Sequence, residues 1–301
     1  MRSRRHWFDL HDDSQDAPDV AVLGLPYDGS VSRQAGAAAG PARVRELSRT
    51  SDPITRRGRE VSGVTLRDYG DVPVADGSGS ALSQNEFFAA AAARLGELPD
   101  ASFPLALGGD NSVSIPVIQE FARRHGNGAG VVWFDAHPDL FEAYDGNPDS
   151  HASALRRGME LGGLAPGQAV LVGTRSFAQE EVRYIRDQGI ELVTAADWAA
   201  GNAAGVADRV AARLQGLSAI YLAVDIDVLD ASCAPGTGYP MPGGVGSEAF
   251  FVLLEELFAR LPVRAMDLTE IAPPLDTNDV TAFLGAQIVL ETLGLLAGRA
   301  G

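Results

Sequence analysis

Two short segments concentrate the side chains that can do chemistry. VVWFDAHPD, from Val131, delivers Asp135, His137 and Asp139; AIYLAVDID, from Ala219, delivers Asp225 and Asp227. Within Asp-x-His-x-Asp the spacing is two, so an extended segment points all three side chains to one side. Asp225 and Asp227 share a face for the same reason. Each group ends an apolar run that reads as a strand, and in open α/β sheets ligands bind beyond the carboxyl ends of strands. Four carboxylates and an imidazole brought together repel unless cations neutralise them. Four Asp carry −4, and two divalent ions carry +4. Hard oxygen donors with a few nitrogens suit Mn²⁺, and a two-metal site can activate a bridging water. A lone Asp at a strand end more simply caps the next helix. Two clusters, one with a histidine, point to metal instead.

The elements that must position these residues alternate almost end to end. Short runs from Val20, Val64, Phe103, Val131, Ala169, Ile190, Ala219 and Val263 are rich in Val, Ile, Leu and aromatics, as buried parallel strands are. Helical patterns lie between them at 41–48, 84–96, 114–124, 178–188, 204–214, 247–259 and 279–298. Such alternation predicts a parallel sheet with helices on both faces, with a closed (β/α)₈ barrel as the alternative. No long linker, low-complexity segment or repeat interrupts the chain, so residues 1–301 read as one domain.

Composition narrows the chemistry further. All 24 basic residues are Arg against 40 Asp and Glu, a formal net charge of −16. Without lysine there is no Schiff base and no P-loop amine. The acid excess argues against nucleic acid as a partner. The single Cys233 excludes a disulfide framework and fits a reducing compartment. The basic start MRSRRHWFDLHDD has no apolar run behind it, so a soluble, cytoplasmic protein with no membrane partner is expected.

Five blocks together resemble the ureohydrolase family: arginases, agmatinases, guanidinobutyrases and formiminoglutamate hydrolases. They are GGDNS (108–112), FDAHPD (134–139), SHAS (150–153), VDIDVLD (224–230) with APGTGYPMPGG (234–244), and MDLTEIAPP (266–274). The segment GSVSRQAGAAAGPARVR resembles the family's N-terminal Gly-Pro region. The resemblance implies a three-layer α/β/α sandwich around an eight-stranded parallel sheet, and two Mn²⁺ per chain. It implies that Asp135 and Asp225 bridge the metals, that Asp139 binds one and His137 and Asp227 the other. By the same match His151 shuttles protons, and Glu270 anchors the cationic amidino group. The implied reaction is attack of a metal-bridging hydroxide on the amidino carbon. Trimers or hexamers are common in the family, so a homo-oligomer is expected.

One departure stands out. Most members read GGDHS, where the His binds the first metal; here that place is Asn111. An amide oxygen is a weaker donor than imidazole, so the resemblance implies a looser first site with Asn111 as ligand. Some members acting on formiminoglutamate carry Asn here. The His151 loop and the stretch from Thr269 look most like agmatinases, and an acidic pocket favours a cation such as agmatine. The expected activity is therefore agmatinase-type guanidino hydrolysis, with formiminoglutamate hydrolysis second. A metal-poor, non-catalytic binding homologue is the alternative of another class.

Arg175, just past a strand end, has the address of a substrate contact. Other candidates read more plainly. His125 reads as the C-terminal cap of a helix, and His6 and His11 as surface residues. Arg156 and Arg157 read as salt-bridge partners, and Cys233 as a small buried residue.

Overall fold

The computed structural model describes residues 7–14 and 17–299. Its eight strands are β1 (Val20–Leu25), β2 (Leu66–Asp71), β3 (Phe103–Gly108), β4 (Ala129–Phe134), β5 (Ala169–Thr174), β6 (Glu191–Thr194), β7 (Ala219–Asp225) and β8 (Val263–Thr269). They form one sheet in the order β2-β1-β3-β8-β7-β4-β5-β6, with every pairing parallel. The sheet has two free edges, so the closed barrel is excluded. The edges are blunted: β6 is four residues long, and β2 is polar.

The helices are α1 (Gly40–Leu47), α2 (Gln84–Gly96), α3 (Ser114–His125), α4 (Ala154–Gly162), α5 (Gln179–Gln188), α6 (Ala195–Ala200), α7 (Ala203–Arg213), α8 (Ser247–Arg260) and α9 (Val280–Ala297). Alternate strand residues feed two separate cores, giving the three layers of an α/β/α sandwich. Ile220, Leu222 and Val224 of β7 pack with α1, α7, α8 and α9; Tyr221 and Ala223 pack on the opposite side with α2, α3 and α4. Helix α9 is long and apolar enough by composition to cross a membrane, but here it is a core helix packed on α1 and α8.

One local detail differs from the sequence reading. The apolar run at 190–195 stops as a strand at Thr194, whose side chain accepts from Asp197 N while Asp197 returns a bond to Thr194 N. That reciprocal cap starts the short α6, which the periodicity did not indicate. Helix α4 follows His151 through a one-turn helix capped by Ser150.

Candidate metal centre and active site

The four central strands, β3, β8, β7 and β4, are neighbours, and the segments after their carboxyl ends meet in one place. Asn111 follows β3 and Glu270 follows β8. Asp225 ends β7, with Asp227 in the next turn, and Asp135, His137 and Asp139 follow β4. All except His137 are nearly inaccessible to solvent. A cavity of about 230 Å³ opens above them, lined by His137, Asp139, His151, Asp225, Asp227 and Glu270 among others.

The Asp-x-His-x-Asp segment is not extended throughout. Asp139 has φ +51°, and Glu270 has φ +62°. Both are non-glycine residues in the left-handed region, a strain of about 1–3 kcal/mol each that functional sites concentrate. Asp139 therefore reaches the cluster from the side. Asp225 and Asp227 also fail to share a strand face, because Asp227 N donates to Asp225 Oδ1 at 2.8 Å in a turn. That turn swings the Asp227 carboxylate onto Ala136 N at 3.0 Å and His137 Nδ1 at 3.2 Å.

Asp135, His137 and Asp227 each offer a ligand atom within 4.8 Å of one another. Two carboxylates and an imidazole are a donor set that suits a divalent ion, so these residues fit a metal. Burial, then Asp227, pushes the Asp135 carboxyl up to about 7. Burial lowers the His137 imidazole, but Asp227 and Asp135 outweigh it and push it up to about 12. Burial raises Asp227, yet His137 wins and holds it below the usual range. Burial and neighbouring carboxylates raise Asp139, Asp225 and Glu270 well above theirs. So much uncompensated acid is what a bound cation would relieve.

Asn111 departs from the ligand role expected for it. Its amide nitrogen, not its oxygen, faces the cluster, donating to Asp135 Oδ2 and Asp139 Oδ2 at 2.8 Å each. The oxygen is turned back to accept from Thr269 Oγ1 at 2.9 Å. The cause is plain: two buried carboxylates demand donors, and a buried hydroxyl demands an acceptor. The backbone N–H of Asn111 also pins Glu270 Oε1 at 2.9 Å.

Arg175 corrects the substrate-contact reading. Its guanidinium donates to the carbonyls of Gly173, Asp227, Val228, Leu229, Met241 and Pro242, and it does not line the cavity. An Arg fork presented with convergent carbonyls is consumed by them. His151 does line the cavity, and its buried Nε2 has no hydrogen-bond partner among the described residues.

The plain readings hold for Arg156 and Arg157, whereas His11, read as a surface group, is partly buried, its side chain only 19% exposed. Arg156 pairs with Glu160, and Arg157 with Asp149. His125 ends α3, and His11 pairs with Asp13; His6 lies outside the described residues. Cys233 is half-buried against Asp230 O.

Asp110 was missed. Its buried carboxylate takes four donors, the N–H and Oγ of Ser30 and of Ser112, and Ser30 Oγ in turn accepts His151 N at 3.0 Å. Asp110 thus ties three loops and holds the His151 segment. The signal was within GGDNS, beside the residue that drew attention. Glu181, buried on the cavity wall and holding Leu140 N and Ala178 N, was also missed.

Residues 18–294 match the arginase family over nearly the whole chain. The chain belongs to the arginase family. This arginase-family chain is 34% identical to a guanidinopropionase of Pseudomonas aeruginosa, across 94% of this chain and 88% of that one. It is 33% identical to an agmatinase of Bacillus anthracis, across 91% of each. The fold overlays a formimidoylglutamase of Bacillus subtilis with a TM-score of 0.87 at 26% identity, covering 99% of this chain and 93% of that one. Family members are hydrolases of C–N bonds in linear amidines, typically with a binuclear metal centre. The three relatives carry three different substrate names, so identity alone selects none.

Proposed function

We propose that this chain is a manganese-dependent hydrolase of a guanidino compound, agmatine or a close relative, releasing urea. One observation carries the reading. Glu270 lines the same cavity as His137 and Asp227, yet stands apart from the group they form with Asp135 and is pinned by Asn111 N. A buried carboxylate beside a metal-fitting group has a cation to receive, and a planar guanidinium matches a carboxylate in two parallel hydrogen bonds. The net charge of −16 tilts the field the same way.

A divalent ion on Asp135, His137 and Asp227 would supply a water of lowered pKa as nucleophile. Glu270 orients the amidino carbon toward that side of the cavity. Burial first, then the nearby His137, pushes the His151 imidazole down to about 4, so it is neutral near pH 7 and free to take or give a proton at Nε2. Attack at the amidino carbon gives a tetrahedral centre, from which the amine departs with a proton. Phe141 and Tyr144 on the wall keep the reacting end from bulk water.

A second reading is favoured by Arg33. Among the described residues it is the one arginine lining the cavity, stacked 5.5 Å from the ring centre of Tyr239, which itself packs edge-on against His137. A cation on this wall suits an amidine with a carboxylate tail, such as formiminoglutamate. A substrate panel with Mn²⁺-loaded protein decides. Urea from agmatine, guanidinobutyrate or arginine supports the proposal; formamide from formiminoglutamate alone overturns it in favour of the second reading.

A further inference from the structure

The amide of Asn111 does more than fail to ligate. A single nitrogen, Nδ2, spans Asp135 Oδ2 and Asp139 Oδ2 at 2.8 Å each, so both of its hydrogens are committed to the carboxylates. The nitrogen of a carboxamide has no lone pair to offer a metal. The reverse orientation is opposed from behind, where Oδ1 accepts from Thr269 Oγ1 at 2.9 Å. Flipping the amide would set its oxygen against two carboxylate oxygens and turn an amide nitrogen toward the Thr269 hydroxyl, leaving that hydroxyl only the longer contact to Val224 O at 3.4 Å.

Asp135 is divided accordingly. Its Oδ2 is taken by two N–H donors, Asn111 Nδ2 and Trp133 Nε1 at 3.1 Å, while Oδ1 accepts one, His137 N at 2.6 Å, and faces His137 Nδ1 at 3.4 Å. An oxygen already holding two N–H donors is poorly placed to bridge to a second ion. The ligand group that remains, Asp135, His137 and Asp227, is sufficient for one.

We infer that this chain holds a single divalent ion, on Asp135, His137 and Asp227, and that the Asn111 amide occupies the place of a second. The inference rests on the proposed metal-dependent reading and specifies its centre.

The test counts metal rather than turnover. The full-length protein is stripped with chelator, saturated with Mn²⁺, freed of excess by gel filtration and assayed by mass spectrometry and electron paramagnetic resonance. One Mn²⁺ per chain, with the six-line spectrum of an isolated ion, is expected. Two per chain with a spin-coupled spectrum overturns the inference and leaves the proposed function standing. No bound Mn²⁺ removes both. Asn111→His, checked for native circular dichroism, is expected to rise from one ion to two and acquire the coupled spectrum. A folded Asn111→His that still holds one ion overturns the role assigned to Asn111.

Discussion

The guanidinium of Arg175 donates to the backbone carbonyl of Asp227 at 2.7 Å, fixing a candidate metal ligand through its main chain. The same side chain holds the loop carrying Met241 and Pro242. Removing it strands several carbonyls, so Arg175→Ala should lose about 2–4 kcal/mol in urea unfolding. Mn²⁺ affinity should fall roughly tenfold or more, as for other supports behind metal ligands. Arg175→Lys should recover little, because an ammonium cannot serve the fork. A raised KM with unchanged metal affinity would restore the substrate-contact reading.

His151 is expected to act at Nε2. His151→Asn should lower kcat by about 10²–10⁴, the usual worth of a positioned proton carrier, with Mn²⁺ content unchanged. Metal analysis beside steady-state kinetics checks this; loss of metal would instead mean a structural role.

Arg33 should discriminate by tail charge. Arg33→Ala should reduce kcat/KM for guanidinobutyrate about tenfold, close to the loss of one charge-assisted contact, and leave agmatine unchanged or improved. Equal losses on both substrates would place Arg33 in loop stability instead.

Gly109 admits no side chain. A Cβ there would lie 1.9 Å from the carbonyl oxygen of Tyr27, and Gly109 O accepts from Glu270 N at 2.8 Å. Backbone meets backbone, so nothing flexible can give way. Gly109→Ala should cost about 3 kcal/mol or more and displace Glu270. A thermal melt within a few degrees of the parent would refute this packing.

Asp230 carries a pH signature. Its carboxylate accepts from the hydroxyl-bearing Ser232 turn and from Gly243 and Gly244, and these bonds hold its pKa at about 2, below the ordinary 3.8. A depressed folded pKa gives stability that is complete above the unfolded value and is lost as pH falls through the folded one. The Tm advantage over Asp230→Asn should therefore be constant above about pH 5 and shrink steadily toward pH 2. An advantage independent of pH would deny the shift.

Much of the fold was legible because buried parallel strands announce themselves as unbroken apolar runs, and β3, β4, β7 and β8 did so. Open sheet against closed barrel was not legible in the alternation of elements and came only from the resemblance of the motifs. The order β3-β8-β7-β4 depends on pairings between residues far apart in sequence: Leu105 with Met266, 161 positions apart, Ala129 with Ala219, 90 apart, and Leu222 with Met266, 44 apart. Local periodicity carries no trace of them. Helix α6 was hidden for the opposite reason: a single cap at Thr194 outweighed a strand-like run.

The chain's own residues determined which donors exist: five acids, two histidines, no lysine, and an asparagine where imidazole was expected. They also determined that the strand ends would bear them. Only the tertiary structure decided how those donors face. Asn111 has two chemically different ends of nearly equal size, and the choice between them belongs to Thr269, 158 residues away, and to Asp135 and Asp139. Arg175 stands at the address of a substrate contact, but five of the six carbonyls that consume it come from the chain beyond β7. Orientation is set by partners in space, and a hydrogen bond is satisfied or stranded only once the partner has arrived.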